Sequence, residues 1–99
     1  MAILNIKWQS EEEKNTTKSD FLEKIEQLVA CVALCIWEPN DAITLRAFME
    51  DTRTAIRAYR LLFNEDLEYE VFPHEVIFVN LTTHTVIQTF TRKEVINND

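Results

Sequence analysis

Residues 41–63 read DAITLRAFMEDTRTAIRAYRLLF. Leu45, Phe48, Met49, Thr52, Ala55, Ile56, Tyr59, Leu62 and Phe63 recur at spacings of three and four, the period of one helix face. The stretch predicts a helix over about 41–63 that turns Phe48, Ile56, Tyr59 and Leu62 into a core. Four of the chain's five arginines, Arg46, Arg53, Arg57 and Arg60, fall on the same helix at spacings of seven, four and three. That spacing gathers them on one side, opposite or flanking the apolar stripe.

Upstream, Glu38-Pro39-Asn40-Asp41 punctuates the chain. Proline disfavours helical geometry at the residue before it, and Asn40 suits a helix N-cap. Before this break a second helix is expected over about 20–37, capped by Ser19 or Thr17. Phe21, Ile25, Leu28 and Val32 form its first stripe, and from Leu28 to Trp37 it is apolar on every side. Such a helix needs cover from several directions. The short link makes the two helices an antiparallel hairpin. Residues 9–19, QSEEEKNTTKS, lack apolar side chains and read as a solvated loop. Leu4, Ile6 and Trp8 alternate with Asn5 and Lys7, the period of a half-buried strand.

Downstream, Asn64-Glu65-Asp66 closes the long helix, and Glu68–Phe72 alternates weakly before Pro73, which ends a strand or confines it to an edge. Glu75–Leu81 and Thr85–Thr91 are rich in β-branched residues and predict two strands. The turn Thr82-Thr83-His84 suggests a left-handed position at His84. Thr91-Arg92-Lys93-Glu94 resembles a capping box that starts a last helical turn. The expected fold is therefore α+β: one domain over residues 1–99, a helical hairpin on one face of a small, about three-stranded antiparallel sheet, in the order β-α-α-β-β.

Composition narrows the functions. Glycine is absent from the 99 residues, so phosphate-binding loops, the dinucleotide fingerprint, the GxSxG nucleophile elbow and the EF-hand loop are all missing. Seventeen acids against ten bases give a net charge of −7, which disfavours nucleic acid and favours a basic partner. The longest apolar run, Leu28–Trp37, is ten residues, about half a membrane span. No basic region followed by an apolar run opens the chain at Met1–Trp8. A cytoplasmic protein with reduced thiols is expected.

The remaining candidates for chemistry are few. Cys31 and Cys35 share a helix face, and His74 and His84 could complete a zinc site, but the spacing does not match known zinc patterns. Glu65, Asp66, Glu68 and Glu70 form an acidic cluster that could hold calcium or simply edge a sheet with charge. The arginines can pair within their own helix, with Glu50 and Arg53 at (i, i+3), or present a contact face. These features point to a small non-enzymatic regulatory or inhibitory module, without cofactor or metal, that binds a protein partner or itself. Arg46, Arg53, Arg57, Arg60 and Trp37 are the expected contact residues, with Trp37 as the anchor of a homodimer. The alternatives are a nucleic-acid accessory protein using the arginine face and a divalent-cation binder using residues 65–70.

Overall fold

A computed structural model describes residues 7–38 and 42–96. Six elements follow one another: α1 (Glu11–Trp37), α2 (Ala42–Phe63), β1 (Leu67–Val71), β2 (Glu75–Asn80), β3 (Thr85–Thr91) and α3 (Arg92–Ile96). The α1–α2 hairpin packs on one face of a three-stranded antiparallel sheet of order β1-β2-β3. This is the expected α+β layering. The strand expected over residues 2–8 falls largely outside the described residues. Lys7 and Trp8, which are described, belong to no strand, and the Trp8 ring stacks on Phe63 at 5.6 Å.

The first helix begins nine residues earlier than expected. Ser10, not Ser19 or Thr17, is its N-cap: the Ser10 hydroxyl accepts from the Glu13 N–H at 3.0 Å. Glu11, Glu12 and Glu13 occupy the first turn, where carboxylates complement the positive end of the helix dipole. A turn that faces solvent needs no apolar residue, so QSEEEKNTTKS is helix despite its polarity.

Farther along α1, Ile25, Val29, Val32, Ala33 and Trp37 are buried. Tyr59 and Phe63 of α2, Leu67 of β1, and Val76 and Phe78 of β2 meet Ile25, Val29, Ala33 and Trp37 in one core. Phe48 is only half-buried and lies outside this cluster, so the core side of α2 is centred on Tyr59 rather than on Phe48.

Turns without glycine are made by residues that tolerate the left-handed region. Asn64 (φ 56°) ends α2, its N–H donating to the Arg60 carbonyl at 2.9 Å, in the role glycine commonly plays at a helix C-terminus. His84 (φ 56°) closes the β2–β3 turn, as its position suggested. The Asn80 carboxamide oxygen accepts from the N–H groups of Thr82 and Thr83, both at 3.0 Å, and holds that turn closed. The capping box forms as expected: the Thr91 hydroxyl accepts from the Glu94 N–H at 3.2 Å, and Glu94 accepts from the Thr91 N–H at 3.3 Å.

Long-range polar contacts join the layers. Arg92 donates to the Trp37 carbonyl at 3.1 Å and so caps the basic-free last turn of α1. Glu65 follows α2 and accepts from Lys18 of α1 (2.8 Å), Tyr59 of α2 (3.1 Å) and Asn80 of β2 (2.9 Å). Burial alone would push the Glu65 carboxyl up, but these donors and the Lys18 charge hold it below the usual carboxylate range. A depressed folded pKa stabilises the fold above the unfolded carboxylate pKa, and that stability is lost as pH falls through the folded value. Glu65→Gln is therefore expected to cost about 1–3 kcal/mol at pH 7 in urea melts, with the gap from wild type closing below about pH 4.

Candidate functional site

At about 100° per residue, Arg46, Arg53, Arg57 and Arg60 occupy an arc of about 60° on α2. The buried Thr52, Tyr59 and Phe63 lie elsewhere on the circumference. All four arginines are exposed. Among the described residues none of their guanidinium groups has an ion-pair or hydrogen-bond partner, and Lys18–Glu65 is the ion pair present. The Glu50–Arg53 pairing that the spacing allows is not formed. The stripe is a row of exposed guanidinium forks along one side of α2.

One flank of the stripe borders the sheet. Met49, Arg53 and Ile56 of α2 and Leu67, Glu68 and Tyr69 of β1 line a shallow groove of about 300 Å³. Burial raises the Tyr69 phenol pKa, and the nearby Arg53 charge partly offsets that effect. Met49 is 40% exposed, an uncovered apolar side chain beside the cations. The sequence pattern gave no sign of this groove, because it depends on which strand lies beneath α2.

A second groove, about 630 Å³, runs between the helices. Phe21, Leu28, Ala55 and Ala58 contribute apolar surface, while Asp20, Lys24 and Asp51 contribute charge. The small Ala55 and Ala58 leave the depression that larger residues would fill.

Trp37 is not a surface anchor. It is 5% exposed, sits in the core and donates its ring N–H to the Phe72 carbonyl at 2.7 Å. The apolar surface of this helix end that stays uncovered belongs to Leu34 and Ile36, about 40% exposed each. A sequence cannot tell which way a tryptophan points when its helix is apolar all round.

The metal candidates are not brought together. His74 and His84 are exposed in turns at opposite ends of β2, about 20 Å of strand apart. In the acidic segment Glu65 is engaged by Lys18, Tyr59 and Asn80, while Glu68 and Glu70 project from the sheet face opposite the helices. Among the described residues no three His, Cys, Asp or Glu side chains are grouped to hold a metal ion. No described helix is long and apolar enough to cross a membrane.

Cys31 and Cys35 are free and half-buried, and burial together with Cys35 pushes the Cys31 thiol up. Less thiolate means slower attack. Native Cys31 is expected to react with a thiol reagent several-fold more slowly than in urea at the same pH, followed by mass spectrometry of the labelled peptides. Equal rates would show that burial does not protect it.

Comparison with protein-family models, with curated proteins and with solved structures returned no match.

Proposed function

We propose that this domain is a non-enzymatic interaction module and that the arginine stripe of α2 is its contact face for an acidic region of a partner protein. The observation that supports the reading is the set of four exposed guanidinium groups that have no ion-pair or hydrogen-bond partner among the described residues, on a chain whose net charge is −7. An acidic chain with four exposed arginines gathered on one face has a local field there opposite to its overall one. That arrangement orients a partner during encounter and rejects the other faces. A phosphate backbone would meet the same forks, but it would also meet the repulsion of the rest of the surface.

The test is affinity capture from a lysate of the source cell with wild type and with the quadruple variant Arg46→Gln/Arg53→Gln/Arg57→Gln/Arg60→Gln. Wild type is expected to retain acidic proteins that the variant loses, with nuclease treatment making no difference. Equal retention by the variant would end the reading. Nuclease-sensitive retention with steep salt dependence would replace the protein partner with a nucleic acid.

Self-association is a second reading, supported by the groove between α1 and α2. Its apolar lining and its Lys24, Asp20 and Asp51 charges, which form no ion pairs among the described residues, suit a twofold contact in which lysine of one copy meets aspartate of the other. Light scattering coupled to size exclusion is expected to give twice 11.7 kDa for wild type and 11.7 kDa for Ala58→Glu. A wild-type monomer at micromolar concentration would remove this reading. Trp37→Glu, by contrast, places a charge in the core and is expected to unfold the chain.

A further inference from the structure

The open edge of β1 lies beside the arginine stripe, and its backbone polarity can be read from the ladder. In the β1–β2 pair, residue numbers opposite one another sum to a constant: Leu67↔Asn80, Tyr69↔Phe78, Val71↔Val76. At the two ends of the same ladder the Leu81 N–H donates to the Asp66 carbonyl (2.8 Å) and the Phe72 N–H donates to the Glu75 carbonyl (2.7 Å). Bonded pairs in an antiparallel ladder recur every second residue. Asp66, Glu68, Glu70 and Phe72 therefore turn their backbone groups toward β2. Leu67, Tyr69 and Val71 turn theirs to the open edge, where no described strand pairs with them.

Edges of this kind are usually blunted by lysine, proline or a covering loop. Here the edge is bordered by α2 with Met49, Arg53 and Ile56, and the groove between them is open. An added strand would lie about 4.8 Å from β1, with side chains alternating between two environments. On the helix side they would meet Arg53 and the apolar Met49 and Ile56. On the other side they would meet Glu68 and Glu70, which are exposed. A second copy paired through this edge would set these glutamates near their own counterparts, and like charges across a ladder are unfavourable.

Resting on the reading of the stripe as a contact face, we propose that the partner supplies an extended segment that adds as a fourth strand to the open edge of β1, with acidic and aliphatic residues facing α2 and basic or uncharged residues facing away. Main-chain hydrogen bonds to Leu67, Tyr69 and Val71 would give affinity, and Arg53 with its apolar neighbours would give selectivity, the division of labour seen in strand addition generally.

The test uses the full chain, isotope-labelled for NMR, and a short end-blocked peptide. Glutamate and valine alternate on one face of the peptide, lysine and threonine on the other. Two twins of this peptide are N-methylated at alternate residues, one in each phase. The parent peptide is expected to shift the amide signals of Leu67, Tyr69 and Val71 and to slow their hydrogen exchange by about tenfold or more. Only one parity of an added strand faces β1, so one twin is expected to bind like the parent and the other to lose about tenfold or more. Arg53→Glu is expected to weaken the parent by a similar factor. Shifts confined to the arginines of α2, or twins that behave alike, would overturn strand addition while leaving the arginine face in place. No shift at either β1 or α2 would overturn both.

Discussion

The carboxylate of Glu65 is the point on which the layers converge. It lies just beyond α2 and accepts from one donor on each of α1, α2 and β2. Burial of a carboxylate is unfavourable unless its lone pairs find donors, and here Lys18, Tyr59 and Asn80 all supply one. The same Asn80 uses its carboxamide oxygen to hold the β2–β3 turn, so helix hairpin and strand hairpin are tied through two adjacent side chains. Tyr59 is fully buried and in ring contact with Phe63 at 4.8 Å and with Phe21 at 6.1 Å, which links the polar junction to the aromatic part of the core. Burial and the Glu65 charge both raise the pKa of its phenol, which keeps it a hydrogen-bond donor through the neutral range.

Much of this arrangement could be read from the residues. α2 was legible because its apolar period is regular along most of its length. His84 and the Thr91–Glu94 box were legible because their roles are local, set by one residue's φ or by a side chain reaching three positions along. The start of α1 was missed for a different reason. A search for apolar periodicity passes over a helix segment that buries little, although Ser10 and Glu13 have the spacing of a capping box. β1 alternates only weakly because Glu68 and Glu70 face away from the helices while Tyr69 and Val71 are half-buried.

The site was legible only in part. The arginine stripe follows from spacing alone, but its lack of partners among the described residues does not: Glu50 stands at a bonding distance in sequence and forms no pair in the fold. Glu65 looked like one member of an acidic cluster. Its partners Lys18 and Asn80 are 47 and 15 residues away, and no local rule connects them. The burial of Trp37 is not legible because a run that is apolar all round carries no direction, and the side facing Phe72 emerges only when the chain returns.

Among the described residues the sheet is drawn from residues 67–91, and the Arg92 contact to Trp37 closes a loop of 55 residues. During synthesis the two helices leave the ribosome first, and they can pair with each other as a hairpin. The side of α1 that carries Ile25, Val29 and Trp37 then has Tyr59 and Phe63 of α2 to pack on, but not Leu67, Val76 and Phe78 until the strands have been made. The order of the elements thus leaves the core incomplete until the strands are in place. A nascent chain stopped before β2 would leave that side of α1 only partly covered, without Val76 and Phe78 to close over it.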